Sequence, residues 1–320
     1  MSEPAAIVAL SGGVGGAKLA LGLSRVVAGA ELLVVANTGD DFEHLGLTIC
    51  PDLDTVTYTL SGLANLELGW GRADETWGFM AALEQLGGET WFNLGDGDLA
   101  LHLLRGERLA RGDSLSSVTR AVTERLGIAA RIVPMSDDPV RTYVRTADGP
   151  LAFQHYFVRD RCEPAVGGFE FRGIEGARPQ AEFIAALAAD DLRAVVITPS
   201  NPFVSIDPIL ELPGVRRALA DAAAPIIAVS PIVGGQAIKG PAAKMMAELG
   251  MPGSALAVAE HYGGLLDGFV LDRVDGEQAE AVAALGLRPL VTGTVMRSLA
   301  DREALARDVL AFADALRRVD

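Results

Sequence analysis

The sequence predicts an α/β fold of the doubly wound kind, a mostly parallel sheet with helices on both faces and a small inserted cap of β-hairpin and helix. Three observations predict it. Short β-branched runs alternate with stretches whose apolar residues recur at helical spacing along most of the 320 residues. The first run opens directly into a glycine-rich turn. One segment in the middle, two alternating runs around an Asp-Gly turn, breaks the rhythm as an insertion would.

The elements follow in order. "AAIVAL" (5–10) has the make-up of a buried strand, and "LSGGVGGAK" (10–18) places four glycines and a lysine behind it. Leu19, Leu23, Val26 and Val27 then recur at helical spacing, so the stretch reads as strand, turn and helix. A second strand is expected over 31–37. A helix follows over about 74–86 with Phe79, Leu83 and Leu86 on one face, then a strand over 90–96 and helices near 98–105 and 114–126. After a short strand at 131–135, "VRTYVRT" (140–146) and "LAFQHYFV" (151–158) read as the two arms of an antiparallel hairpin. Strands resume at 192–200, 224–231, 267–274 and 287–294, and an amphipathic helix covers roughly 299–318. No repeat, low-complexity tract or Pro/Ser linker divides the chain, which predicts one domain over 1–320 with an inserted subdomain at about 136–180. In such sheets ligands bind beyond the carboxyl ends of the strands, where strand order reverses.

A formal net charge of −15 argues against a nucleic-acid partner, since phosphate backbones are held by clustered Lys and Arg. A small-molecule partner is expected instead. The two cysteines, Cys50 and Cys162, form no pairing motif, and "MSEPAA" lacks the basic start and apolar core of a signal peptide. No apolar run approaches the roughly 20 residues that span a bilayer, so a cytoplasmic protein without a membrane partner is expected. His44, His102, His155 and His261 do not combine with each other or with the cysteines at zinc-ligand spacing, and read as structural. No "GxSxG" elbow is present, so nucleophilic hydrolysis has no support.

The turns after the strands carry the chemistry. Gly12, Gly13, Gly15 and Lys18 open a helix whose first amides lack partners and whose dipole favours an anion. Lys18 stands where the dinucleotide fingerprint has its third glycine, and Ala17 and Leu19 break the ATPase phosphate-loop pattern. A phosphate-bearing nucleotide of unspecified kind is the expected ligand; the alternative is a tight turn and nothing more. Beyond the second strand, Asp40, Asp41, Asp52 and Asp54 fall within fifteen residues. Hard oxygen donors of this kind suit Mg²⁺, although Asp54 is equally placed to cap a helix beginning near Thr55. In "LGDGDLALHLL" (94–104), Asp96 reads as a site residue and Asp98 as an N-cap. In "GWGRADETW" (69–77), Trp70, Arg72 and Trp77 can hold a flat heterocycle or pack in a core. Ser200, Asn201, Pro202 and Ser205 in "TPSNPFVSIDPIL" offer hydroxyls and an amide to a nucleotide or cap helices, while Lys239 and Lys244 meet negative charge or solvent.

Together "SGGVGGAK", "VVANTGDD", "CPDLDTVTYTL", "RADETW", "LGDGDLA", "SNPFVSIDPIL" and "SPIVGGQAIKGPA" resemble, in order along nearly the whole chain, the 2-phospho-L-lactate transferases of coenzyme F420 biosynthesis. The resemblance implies a Rossmann-like fold, Mg²⁺ dependence and a homodimer. The implied reaction joins the deazaflavin alcohol Fo to a phospholactyl, phosphoenolpyruvyl or related group carried as a guanosine diphosphate ester, with release of GMP. Asp54 resembles the deazaflavin- and metal-contacting carboxylate, and Asp40 and Asp41 the neighbouring metal site, with Asp41 and Asp54 as ligands and Asp54 or Asp40 as the proton acceptor. Trp77 and Asn93 are implied on the deazaflavin; relatives often carry a basic residue at the latter position, so an amide replaces a charge there. The glycine turn and the "SNP" turn resemble the guanosine diphosphate site. A related bacterial family, thought to sense nucleotide sugars, shares the glycine turn and acidic strand end and supplies the alternative, a regulatory nucleotide-sugar-binding protein.

Overall fold

A computed structural model of the chain describes residues 6–67 and 70–317. Residue 5 of the expected first strand, residue 69 of "GWGRADETW" and residue 318 of the expected last helix lie outside the described residues. β1 (Ile7–Ser11) runs into α1 (Gly13–Val26) and returns as β2 (Leu32–Ala36). A hairpin of β3 (Phe42–His44) and β4 (Leu47–Ile49) precedes α2 (Pro51–Ser61), α3 (Gly78–Gln85), α4 (Asp96–Ala110), α5 (Leu115–Arg125) and β5 (Arg131–Pro134). β6 (Arg141–Thr146), β7 (Gly149–Ala152) and β8 (Gly168–Arg172) form a separate sheet, and α6 (Ala181–Leu187) leads back to β9 (Ala194–Ile197). Next come α7 (Asp207–Leu210), α8 (Val215–Ala220), β10 (Ile226–Val229) and a small hairpin of β11 (Ile232–Val233) and β12 (Gln236–Ala237). α9 (Ala242–Glu248), α10 (Ala255–Tyr262), β13 (Gly268–Asp272), α11 (Ala279–Ala284), β14 (Arg288–Thr292) and α12 (Leu299–Arg317) complete the order.

Seven strands make the central sheet in the order β14-β13-β10-β9-β1-β2-β5, and every neighbouring pair is parallel. The chain walks outward from β1 through β2 to β5, then returns to the other side of β1 and walks out again from β9 to β14. Strand order therefore reverses between β1 and β9. All five positions of β1 and of β2 are buried, because helices cover both faces of the sheet, and this is why these strands read as unbroken apolar runs. Alternate β1 residues feed two cores. Ile7 and Ala9 pack with Leu19, Leu53, Val309 and their neighbours from α1, α2 and α12. Val8 and Leu10 pack with Phe183, Val215, Val258, Val144 of β6 and Tyr156 from the helical stretch after β7. The first core needs close approach: a Cβ on Gly22 of α1 would stand 2.2 Å from the carbonyl oxygen of Arg302 on α12.

Several local expectations are corrected. Residues 90–95 form no strand; Phe92 and Leu94 instead fill a small separate core with Ile49 and Met80, which leaves the backbone unpaired in a sheet. The helix expected from 74 begins at Gly78, and Leu86 is exposed rather than sharing a buried face with Phe79 and Leu83. The helix expected near 98–105 runs over Asp96–Ala110 with Gly95, not Asp98, at its N-cap. The second hairpin arm ends at Ala152, because His155–Arg159 coils into a π-helical turn, and β8 pairs with β6 to make a three-stranded sheet. A second π-helical turn, Pro202–Ile206, follows β9. π-helical turns are rare and cluster at functional sites.

Candidate active site

Beyond the carboxyl ends of β1 and β9, at the reversal of strand order, lies a cleft of about 620 Å³. That is the size range of small-molecule sites. The glycine turn, the acidic segment, the 199–205 turn, the 230–242 segment and residues 294–296 line it, and the helical stretch after β7 contributes Phe153, Gln154, Phe157 and Val158. Both π-helical turns therefore face it.

The glycine turn is held from two sides. Gly12 caps α1 in extended backbone and Gly13 turns the chain with φ +63°, a conformation that favours glycine. The Gly12 amide donates to Ser200 Oγ at 3.1 Å, and that hydroxyl donates back to the Gly12 carbonyl at 2.8 Å. The Gly13 amide donates to Asp52 Oδ1 at 2.6 Å. Val14 and Gly15 of the first helical turn line the cleft beside Lys18, whose Nζ donates to the Met296 carbonyl at 3.3 Å. Burial, then the nearby Arg302 and Lys239 charges, lower the Lys18 pKa. A Cβ on Gly15 would stand 2.3 Å from the Pro199 carbonyl oxygen, so the glycine is required for the turns after β1 and β9 to touch. Asn201 and Ser205 also line the cleft; Asn201 Oδ1 accepts from the Phe203 amide, and Pro202 is buried at the start of its turn outside the lining.

Four buried aspartates cluster on the other side, three of them, Asp40, Asp52 and Asp54, on the cleft wall itself. Asn37 Nδ2 reaches Asp40 Oδ1 at 3.2 Å, Asp52 Oδ2 at 2.9 Å and the Val204 carbonyl at 3.1 Å, and Gln154 Nε2 reaches Asp40 Oδ2 at 3.1 Å. Burial, then the Asp52 and Asp41 charges, push the Asp40 carboxyl well above the usual range; burial pushes Asp52 up to about 6 and Asp41 up to about 8. Like charges crowded away from water resist ionisation unless a cation joins them. Asp41 lies outside the cleft lining, accepts from the Cys50 thiol, and keeps one shielded oxygen with no partner. Carboxylate oxygens short of positive charge, one of them bare, fit a hard divalent cation such as Mg²⁺.

Asp54 has a different environment. Its first-turn position on α2 puts it against α4, where Arg105, itself 3% exposed, grips both its oxygens: Nη1 at 3.1 Å from Oδ2, Nη2 in close contact with Oδ1. Nη1 also donates to the Thr48 carbonyl at 3.1 Å and lies 3.2 Å from His102 Nδ1. One turn further along α2, Tyr58 donates to Asp98 Oδ1 at 2.5 Å, while His102 Nε2 lies 3.2 Å from Asp98 Oδ2, poorly aligned for a hydrogen bond. Asp54, Tyr58, Asp98 and His102 all line the cleft.

The pattern around Asp96 resolves as capping. Asp96 accepts from Thr76 Oγ1 and from the Gly78 and Phe79 amides at the start of α3, while Glu75 accepts from the Gly97 and Asp98 amides at the start of α4. The two segments "RADETW" and "LGDGD" thus cap each other's helices. A smaller cavity of about 190 Å³ beside the cleft is lined by Trp70, Arg72, Trp77, Asn93 and Asp98 among others. Trp70 and Asn93 border both spaces, whereas Trp77 borders only the smaller one. Lys244 is engaged with Glu248, the Tyr156 hydroxyl and the Pro164 carbonyl, and Lys239 borders the cleft.

The cleft therefore gathers Gly12, Gly13, Gly15, Lys18, Asp40, Asp52, Asp54, Asn93, Ser200, Asn201 and Ser205 from distant parts of the chain, and not Asp41, Trp77 or Pro202. Sequence reasoning missed Arg105, Tyr58, Asn37 and Gln154, and set His102 aside as structural. Asp98, His102 and Arg105 at i, i+4 and i+7 share one face of a helix, the signal that could have found His102 and Arg105 together with Asp98. Gln154 left no such signal, because its partner Asp40 is 114 residues away.

Comparison with known proteins bears on this constellation. The model of the 2-phospho-L-lactate transferase CofD family matches residues 7–291. The phosphoenolpyruvate transferase of Streptomyces avermitilis is 45% identical over 318 residues, covering 97% of this chain and 99% of the relative. The 2-phospho-L-lactate transferase of Methanosarcina mazei is 38% identical over 304 residues, covering 95% and 99%. A crystal structure of a UPF0052 family member from Bacillus halodurans superposes with a TM-score of 0.62 at 15% identity, covering 96% of this chain and 99% of that one, a likeness of fold alone.

Proposed function

The chain belongs to the 2-phospho-L-lactate transferase CofD family and is a transferase enzyme; from that footing we propose that it moves a three-carbon phosphoacyl group from a guanosine diphosphate ester to the hydroxyl of the deazaflavin Fo, releasing GMP. Phosphoenolpyruvate is the favoured acid, since the Streptomyces relative named for it is the more similar of the two compared. One observation carries the reading: a single cleft joins an anion-seating glycine turn to a wall of carboxylates short of cations. Phosphoryl chemistry asks a protein mainly to align its partners and balance charge on the phosphate oxygens.

The first-turn amides of α1 and Lys18 seat the diphosphate, and the 200–205 turn holds the nucleoside side. Asp54 and the Asp40–Asp41 pair would hold Mg²⁺, which would neutralise phosphate charge when bound. Asp54, already balanced by Arg105, meets the acceptor, with Asn93 and Trp70 along the ring. The ribityl hydroxyl oxygen attacks the phosphorus distal to guanosine, the bond to the GMP oxygen breaks, and the hydroxyl proton passes to a carboxylate, Asp54 or Asp40. The site is expected to work in a homodimer in the cytoplasm.

The test is to incubate the protein with Fo, Mg²⁺ and each guanosine ester in turn, identifying product by mass. Asp54→Asn is expected to abolish turnover while GDP still raises the melting temperature. Turnover within several-fold of the parent removes Asp54 from its role. A melting shift with UDP-N-acetylglucosamine and none with GDP would replace the transferase reading with a nucleotide-sugar sensor.

A further inference from the structure

The carboxylates of the acidic site are oriented in different ways. Asp54 has a guanidinium across both oxygens. Among the described residues no ion pair reaches Asp40, and each of its oxygens takes an N–H from a neutral carboxamide, Oδ1 from Asn37 at 3.2 Å and Oδ2 from Gln154 at 3.1 Å. A guanidinium offsets part of the charge that it orients, whereas a carboxamide orients a carboxylate and leaves its charge for a cation. Asn37 belongs to the acidic segment itself, three residues from Asp40, but Gln154 is buried and comes from the inserted segment, 114 residues further on. It sits in the helical stretch between β7 and the π-helical turn His155–Arg159, beside Phe153, Phe157 and Val158 of the cleft wall. A second contact joins the same two parts of the chain. The Thr142 amide of β6 donates to the Gly39 carbonyl at 2.5 Å, and a Cβ on Gly39 would stand 2.8 Å from Thr142 Oγ1. The insert thus meets residues 39 and 40 in succession, once through its backbone and once through a side chain.

We infer that Gln154 is a positioning residue: its amide fixes the direction in which Asp40 presents its carboxylate to a divalent cation, and ties the inserted subdomain's stretch of the cleft wall to the acidic site. A cation that needs Asp40 held still and a wall that is ordered through the same hydrogen bond favour each other, whichever comes first. The positioning role rests on the reading that Asp40 takes part in holding a metal; the tie between the insert and the acidic segment does not.

The test compares the full chain with Gln154→Met, Asp40→Asn and the double variant, reading Mn²⁺ affinity by electron paramagnetic resonance and amide exchange by mass spectrometry. Methionine keeps the length of glutamine and removes the donor. Gln154→Met is expected to weaken Mn²⁺ binding by about tenfold or more, and by no more than about twofold where Asp40 is already Asn, because the residue acts through that carboxylate. In chelator, exchange in Gln154→Met is expected to rise by about fivefold at both 38–41 and 153–159, the effect of one lost hydrogen bond felt on its two sides. Saturating Mn²⁺ is expected to slow exchange at 153–159 in the parent and not in Gln154→Met. Parental Mn²⁺ affinity in folded Gln154→Met, or an equal loss with and without the Asp40 carboxylate, overturns the positioning role; exchange that rises at 153–159 alone overturns the tie. If Gln154→Met does not fold, Gln154→Asn, whose amide falls one methylene short of Asp40, is judged by the same readouts and the same outcomes. If the parent binds no Mn²⁺, the metal reading of Asp40 fails and the positioning role with it, while exchange in chelator still judges the tie.

Discussion

In the presence of a chelator the charge problem of the acidic wall makes the melting temperature fall as pH rises. Burial holds the native Asp41 carboxyl at about 8 against 3.8 for an ordinary one. A raised native pKa means that the folded protein keeps a proton the unfolded chain has released, so this stability is complete below 3.8 and is lost as pH climbs through 8. Asp40 and Asp52 are shifted in the same direction, with the Asp52 contribution spent by about pH 6. His44 and His155, lowered chiefly by burial, act oppositely, but below their ordinary value of 6.5. The clean window is therefore pH 6.5 to 8. The Asp41 proton alone, retained over most of that interval at about 1.36 kcal/mol per unit, amounts to roughly 1.5 kcal/mol, or a fall of roughly 2 °C in a chain of this size. Scanning calorimetry with a chelator across the window measures it. On the proposed Mg²⁺ site, excess Mg²⁺ is expected to flatten or invert the slope, because an ion that takes deprotonated carboxylates opposes the proton, and Asp41→Asn is expected to abolish the part due to Asp41. A melting temperature that holds steady or rises from 6.5 to 8 in chelator, or an Asp41→Asn profile that superposes on the parent's, refutes the account.

Two further outcomes follow from the geometry. Gly15→Ala is expected to cost about 1–3 kcal/mol, because its Cβ meets the Pro199 carbonyl and the turns after β1 and β9 must separate; chemical denaturation and a GDP titration should both register the change, and parental affinity would show that the contact does not shape the site. Glu75→Ala, which leaves the Gly97 and Asp98 amides without their acceptor, is expected to lower stability by about 1 kcal/mol and to raise amide exchange at the start of both α3 and α4; protection lost at α4 alone would show that the two caps are independent.

What the sequence determined by itself is the part carried by local pattern. The unbroken apolar runs of β1 and β2, the glycines that turn the chain into α1, and the aspartates placed just beyond a strand end are properties of neighbouring residues, and with the rule that ligands bind where strand order reverses they locate the cleft. The expected strand at 90–96 failed where that locality ended: its apolar side chains found a small core with Ile49 and Met80 rather than a neighbouring strand. Tertiary structure alone decided which carboxylates stand uncompensated and which are paired. Asp54 and Asp52 are two residues apart, yet one is gripped by a guanidinium 51 residues further on and the other by a glycine amide and Asn37. Likewise Asp96 became a cap for a helix that begins 18 residues before it. Charge balance and desolvation act through space, over a few ångströms set by packing, and a linear order of residues holds that distance only after the chain has folded.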